Sequence, residues 1–489
     1  MSTIFKGTGI LSLGDLISRV FEVLRIIVIT HFFSVEDFGL FSIATGTALM
    51  LSGFTLPSYG SVILQYFPHY QKKGAAHVGQ FLSSSVLFSL VNGLLFTVLM
   101  AWGAHWIATG YFQKPELGAL LFGASLLVLI SPLVNNLSQF LLSDQSFMSV
   151  FQLRIAGAVT NLILVILFTE LQWGLQGLIA AYVLAEGLKT ALALWFLRPY
   201  LKWGRPRLER EVWKFWRPLI ATSLFKGLTS NLPLLIIGRF LDAFSIGLYN
   251  TAERTLKLIF SFTDPYLDTL KVVSVRTYQE SKSAFIQMLN QHNHYTAFVM
   301  SVLGGLSVAV APLLFWMLYS PEYSAAIPYF WGLSLYIVLG TINASFPRVV
   351  FSVKNTNHYY FWGNVSFTLF LLGAMIIFIM DYGLWGLVLA LFLSRIFMLA
   401  VNVGLCKRAE NGFSISAVVF PSLLYLVLVG LAGIGWFLFE WSIPLMAMIG
   451  VGVYVTLSQW IGWVDVRILI PFVWNNLRTL IQNRSGAQK

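Results

Sequence analysis

The chain has 489 residues, of which 57% are hydrophobic, 16% aromatic and only 10% charged, and its mean hydropathy is +0.77. A soluble fold of this length has too little interior to hide so much apolar surface, so the composition points to an all-α polytopic membrane protein. The net charge of +11 would suggest nucleic acid for a soluble domain; here it reflects basic loops on the cytoplasmic side, and no nucleic-acid partner is expected.

The first apolar stretch, 8–31, lacks a small-x-small cleavage site and is interrupted by charges, so it reads as a retained helix and not a signal peptide. Its Asp15, Ser18, Arg19, Glu22 and Arg25 fall within an arc of about 120°, a polar stripe on an apolar helix. Charges in hydrocarbon cost several kcal/mol each, so the stripe should face protein or a water-filled cavity. Internal neutralisation, Asp15 with Arg19 and Glu22 with Arg19 or Arg25, is the plainer reading of the same residues. Spans of roughly 20 residues or more follow at 38–66, interrupted by Pro57, then at 79–106, 117–142, 149–169 and 174–197. Glu36-Asp37 reads as a solvated turn, Arg154 as a snorkelling side chain, and Glu186 with Lys189 as an i,i+3 pair.

These six spans form a first half, 1–197. A basic cytoplasmic linker, 198–213, follows; its Trp203 and Trp213, with Trp216 just beyond, suggest a segment in the headgroup region drawn to anionic lipid. A second half, 214–406, opens with a span at 214–239 carrying Lys226, Ser230, Asn231 and Pro233. The next, 244–271, places Glu253, Lys257, Asp264 and Asp268 within about 60°, with Arg254 on the shoulder. Pro265 frees a backbone carbonyl in that stripe for a cation or water. Spans at 284–318, 325–350, 357–380 and 383–406 complete the half; His292 and His294 at the start of the first read as interfacial, and Arg395 in the last matches Glu186 of the first half. An extra pair, 415–438 and 441–463, lies within 407–463, and 464–489 reads as a cytoplasmic amphipathic tail. The total is about fourteen transmembrane helices. The single cysteine, Cys406, excludes an intramolecular disulfide and a cysteine metal cluster.

The two halves are copies. A shift of about 208 residues brings Phe32 onto Phe240, Gly39 onto Gly247, Leu40 onto Leu248, Thr47 onto Thr255, Pro57 onto Pro265 and Tyr70 onto Tyr278. Gly174-Leu175-x-Gly177-Leu178 returns as Gly383-Leu384-x-Gly386-Leu387. Tandem repeats inside a membrane are the usual build of a transporter that opens to alternate sides. The connections alternate in charge: Lys72-Lys73, Arg198 to Arg217, Lys282, Lys354 and Lys407-Arg408 on one side, Glu36-Asp37, Glu116, Glu170, Asp242, Glu322, Asp381 and Glu440 on the other. The positive-inside rule makes the basic side, and both termini, cytoplasmic. A cavity supplied with Arg and Lys suits an anion, and the planar arginine fork suits phosphate.

The run from Gly14 to Arg25, followed by Phe38-Gly39-Leu40-Phe41, resembles the start of polysaccharide and lipid-linked oligosaccharide flippases of the multidrug/oligosaccharidyl-lipid/polysaccharide exporter superfamily. The Ser18-Arg19 and Arg25 spacing is also similar to that of bacterial lipid II flippases, although Glu22 and Ile26 depart from that pattern and favour an O-antigen or exopolysaccharide repeat-unit flippase. The resemblance implies two six-helix lobes forming a V around a cavity, with two extra C-terminal helices. It implies a cargo of undecaprenyl-pyrophosphate-linked oligosaccharide, moved across the bacterial inner membrane without a bound cofactor, driven by an H+ or Na+ gradient or by consumption of cargo outside. Arg19, Arg25, Lys226, Arg254 and Lys257 would attract the pyrophosphate. Asp15, Glu22, Glu253, Asp264 and Asp268 would tune those charges or carry the coupling ion, with Pro57, Pro233 and Pro265 as helix kinks. A polysaccharide polymerase or chain-length complex is the candidate protein partner.

Two other classes compete. A membrane glycosyltransferase or polymerase would use Glu36-Asp37 as paired carboxylates, but external connections of about four to twelve residues are close to minimal helix–helix turns and leave little room for a catalytic domain. No phosphate-binding loop of the Gly-x-x-x-x-Gly-Lys-Ser/Thr type occurs, so the chain is read as a non-enzyme without its own ATPase. A drug or metabolite antiporter of the same superfamily differs in needing few buried arginines.

Overall fold

A computed structural model describes residues 2–200, 210–261, 270, 274, 277, 278, 280–353, 357–410, 414, 416–439 and 442–462. These residues contain helices and turns and no strand. Lipid leaves no other option for a single chain without a closed barrel, because every backbone polar group must be satisfied within its own segment. Seven helices precede the linker: α1 (Ser2–Phe32), α2 (Val35–Thr55), α3 (Tyr59–Lys73), α4 (Ala75–Trp106), α5 (Leu117–Ser143), α6 (Phe147–Glu170) and α7 (Gly174–Leu197). After it come α8 (Arg210–Phe240), α9 (Ala243–Ile259), α10 (Lys282–Leu318), α11 (Ile327–Val353), α12 (Asn357–Ala409), α13 (Ser416–Phe439) and α14 (Ile443–Trp460). Nine helical stretches among the described residues are long and apolar enough to cross a membrane. The chain is thus a multi-pass membrane protein. α1 falls outside those nine, as its Asp15, Arg19, Glu22 and Arg25 require.

The ends of these helices follow from local chemistry. Ser34 caps α2 through a capping box: the Asp37 amide donates to Ser34 Oγ at 3.1 Å, and the Ser34 amide donates to Asp37 Oδ2 at 3.3 Å. The acidic pair Glu36-Asp37 therefore begins a helix and places negative charge on its positive N-terminal end. The repeated glycine motif has a backbone reason. Gly174 opens α7 at φ 60°, and Gly383 breaks α12 at φ 57° and ψ −129°, so both copies place a glycine at positive φ where one span gives way to the next. The span expected at 38–66 is divided: α2 ends at Thr55, Leu56 to Ser58 are non-helical, and Ser58 has φ 57°. Pro57 thus ends a helix and does not kink one, because it offers no amide to continue the ladder. Pro233 lies inside α8 and is buried. Pro265 and the linker residue Trp203 lie outside the described residues, as does the whole tail 464–489.

The chain clusters into two compact units. The first comprises Met1–Thr251, Leu318–Ala326 and Met375–Leu387. On its basic-loop side an aromatic cluster ties α3, α4 and α5: Phe67 and Phe81 set their rings edge-on to Phe140 at 5.4 and 5.6 Å, and Tyr70 stacks on Phe81 at 4.7 Å. Trp216 of α8 joins this core. Its indole N–H donates to the Pro57 carbonyl at 2.8 Å, and its ring meets Tyr59 edge-on at 5.0 Å. Trp216 is therefore not a headgroup anchor; Trp213, half-exposed one turn earlier, retains that character. On the opposite side of α4, Val91, Leu94, Leu95, Val98 and Trp102 form one exposed helical face, the pattern of a lipid-contacting span.

The second unit comprises Ala252–Met317, Ile327–Ala374 and Val388–Lys489. α10 approaches its neighbours closely at Gly304, where a methyl group would overlap Val338 of α11 and the Tyr425 hydroxyl of α13. Asn343 donates to the Arg395 carbonyl at 2.8 Å, and Lys282 pairs with the buried Glu410 at 3.1 Å. The Arg395 guanidinium lies over the rings of Tyr336 and Phe367 at 4.5 and 4.8 Å and donates to Tyr336 Oη at 2.9 Å. Its partners belong to α11 and α12. His292 is buried within the unit, with its ring against the Thr296 hydroxyl one turn on, at 3.1 Å.

Candidate functional site: a polar cavity in the first unit

The polar stripe of α1 exists, and three of its four charges, Asp15, Glu22 and Arg25, have a partner of opposite charge. α1 packs along α6, and Asp15 forms an ion pair with Arg154 of α6. That pairing replaces both sequence expectations, Asp15 with Arg19 and Arg154 as a snorkelling residue, because the crossing of two helices brings opposite charges closer than one helical turn does. Two turns on, Glu22 accepts from Arg25 at 3.4 Å. The Arg25 guanidinium is 12% exposed and lies over the Tyr182 ring of α7 at 4.7 Å. Glu186 and Lys189 of α7 pair at 2.5 Å, as their i,i+3 spacing predicts.

These residues surround a cavity of about 480 Å³ bounded by α1, α5, α6 and α7. Asp15, Ser18, Glu22 and Arg25 line it from α1, Asn135, Ser138 and Gln139 from α5, Arg154 and Asn161 from α6, and Tyr182, Glu186 and Lys189 from α7. Three of its polar atoms are buried without a hydrogen-bond partner: Ser18 Oγ, Arg25 Nε and Asn161 Oδ1. Buried polar groups are normally satisfied, so a cavity this large with three open positions is a place for water or a small polar ligand. Its formal charge is balanced, with Asp15, Glu22 and Glu186 against Arg25, Arg154 and Lys189. Each acid has a base beside it. The arrangement is suited to exchanging ion pairs and not to holding a dianion by net charge.

The remaining expected residues lie elsewhere. Arg19 is half-buried on α1 and does not line this cavity. In the second unit, Glu253 and Lys257 form an i,i+4 ion pair at 2.9 Å on α9, and Arg254 is half-buried beside them. Lys226 belongs to α8, but its side chain lies outside the described residues, as do Asp264 and Asp268. Sequence reasoning passed over Asn161, Tyr182 and the α5 polar face. The signal was present: Asn135, Ser138 and Gln139 recur at i, i+3 and i+4, and Asn161 follows Arg154 by two turns on the same face of α6. Among the described residues no group of three or more His, Cys, Asp or Glu side chains could hold a metal ion.

Residues 70–328, more than half of the chain, match the family model described as polysaccharide biosynthesis protein. Among solved structures, the lipid II flippase MurJ in an inward closed conformation superposes with a TM-score of 0.69 at 16% identity, over 91% of this chain and 98% of that one. An inward-facing multidrug resistance MATE family transporter of the MOP superfamily gives 0.65 at 15% identity, over 81% and 96%. A MOP superfamily transporter from Pyrococcus furiosus, described as having a binding pocket of reverse polarity, gives 0.56 at 15% identity, over 83% and 96%. Identities this low establish a common fold. No curated protein sequence matches the chain significantly.

Proposed function

Because the chain belongs to the polysaccharide biosynthesis protein family and folds like MurJ and the MATE transporters, we propose that it is a flippase for an undecaprenyl-pyrophosphate-linked oligosaccharide repeat unit. It moves this cargo from the cytoplasmic to the periplasmic leaflet of the bacterial inner membrane, with both termini cytoplasmic, for O-antigen or exopolysaccharide synthesis. The observation that carries the reading is α1. A helix among membrane spans that brings Asp15, Glu22 and Arg25 into a polar cavity would be costly in lipid, which supports a role in handling charge. Arg19, Arg25, Lys226, Arg254 and Lys257 attract the pyrophosphate. Asp15, Glu22, Glu253, Asp264 and Asp268 tune those charges or carry H+ or Na+ from a gradient that drives transport. Anionic lipids and a polysaccharide polymerase or chain-length complex are its partners, and it performs no covalent step.

The balanced charge of the cavity favours a second reading, a MATE-type antiporter of small molecules. Complementation of a flippase-null strain separates them, with surface polysaccharide and membrane abundance scored together. Under the flippase reading Arg19→Ala and Arg25→Ala reach the membrane and export nothing, while Glu36→Ala/Asp37→Ala still exports. If both arginine variants export normally, the antiporter reading takes its place; if only the loop variant is dead, a glycosyltransferase does.

A further inference from the structure

Within the first unit, α2 and the start of α9 touch through backbone. A methyl group on Gly39 would overlap the Ala243 carbonyl, and one on Gly247 would overlap the Val35 carbonyl. Gly39 and Gly247 are the same residue in the two repeats, so the contact is reciprocal: each glycine receives the first turn of the other helix.

Two side chains flank this crossing in a reciprocal way. Tyr323, in the connection between α10 and α11, directs its hydroxyl to the carbonyls of Phe33 and Ser34 at 3.1 and 3.0 Å. Lys114, in the connection between α4 and α5, donates to the carbonyls of Gly238 and Leu241 at 2.8 and 2.7 Å, with Phe112 O at 3.4 Å. These two connections are the same element of the two repeats. Phe33 follows the end of α1, and Leu241 follows the end of α8, again equivalent positions. Each repeat thus sends one side chain from its α4–α5-type connection to the end of the other repeat's opening helix, at Phe33 on one side and Gly238 and Leu241 on the other; the Ser34 carbonyl, at the N-cap of α2, also accepts the Phe38 amide at 3.0 Å. The residue types differ, lysine and tyrosine, so the match is one of position and role that no sequence alignment of the two halves would score.

A carbonyl at a helix C-terminus has no partner in its own helix and is satisfied as well by water as by a side chain. Releasing it exchanges one hydrogen bond for another, which makes such a contact reversible in a way that a packed apolar core is not. We propose that Lys114 and Tyr323 are a paired latch, holding the Gly39–Gly247 crossing shut on the face with acidic connections and releasing together when that face opens. Its purpose rests on the flippase reading; its existence does not.

The test uses accessibility. Ala243 is small, buried beside the crossing, and the native Cys406 is buried, so Ala243→Cys reports on the crossing in an otherwise unchanged chain. A membrane-impermeant maleimide is applied to intact cells stripped of their outer layer and, separately, to inverted vesicles. We expect Ala243→Cys to label slowly, and the Lys114→Met/Tyr323→Phe background to raise the rate by about tenfold from the acidic-connection face, with each single change in between. Tyr323→Phe keeps the ring edge-on to Phe38 at 6.2 Å, so it tests the hydroxyl alone should the double variant fail to accumulate. Labelling at the parent rate in a Tyr323→Phe protein of normal abundance, with Lys114→Met equally silent, overturns the latch. If labelling responds while no variant affects polysaccharide export, the latch stands and the cargo assignment falls.

Discussion

The Asp15–Arg154 pair is one of the contacts that hold the charged helix to its bundle, and a double-mutant cycle measures it. Deleting one partner of a fully buried ion pair costs about 3–5 kcal/mol, because the other charge is left without compensation. Here the Arg154 and Asp15 side chains are 35% and 47% exposed, and exposed pairs contribute about 0–1 kcal/mol. The pair is screened on its exposed side but not by the helices around it, so an intermediate value of about 1–2 kcal/mol is expected for Asp15→Asn or Arg154→Gln alone. The double variant leaves no unpaired charge and should be no worse than either single one. The coupling is then about 1–2 kcal/mol, roughly a factor of 5–30 in the folded ratio. Thermal unfolding of the four proteins in lipid nanodiscs reads it. Costs that add to within about 0.5 kcal/mol would show that the two side chains do not act on each other.

Trp216→Phe removes the donor from the buried Pro57 carbonyl; a loss of about 1–3 kcal/mol and a lowered unfolding temperature are expected. Two glycine changes on α2 should differ in sign. Gly39→Ala drives a methyl into the Ala243 carbonyl, whereas Gly53→Ala meets nothing within 4 Å, and the helix propensity of alanine should stabilise the latter by about 0.5–1 kcal/mol. Asp37→Ala removes the capping box of α2 at a cost of about 1 kcal/mol, with polysaccharide export retained. Burial holds the Lys114 ammonium below the ordinary lysine range, with Asp242 opposing that shift and Arg239 reinforcing it. The folded chain therefore binds this proton less tightly than the unfolded chain. Its contribution to stability rises as alkaline pH climbs from the folded toward the unfolded pKa, and Lys114→Met should flatten that part of a stability–pH profile.

The sequence by itself determined the solvent, the spans and the repeat, because each rests on a local or periodic property. Most apolar runs long enough to cross lipid appear as helices near the boundaries expected, although 38–66 is divided at Leu56 to Ser58 and 357–380 joins 383–406 across the break at Gly383. The doubled Gly174 and Gly383 both sit at positive φ, which glycine adopts without the Cβ clash that other residues meet there. The polar stripe of α1 was equally legible, being a matter of angle along one helix. Pairing across helices was not. Asp15 has Arg19 one turn away in sequence, yet it binds Arg154 on α6, since which helix lies beside which is set by packing over the whole bundle. Trp216 looked like a headgroup anchor until α8 packed it against Pro57. Lys114 and Tyr323 share no residue type and carry no motif; only the crossing of α2 with α9 at two glycines gives them equivalent carbonyls to hold, and that crossing exists only once the chain has folded.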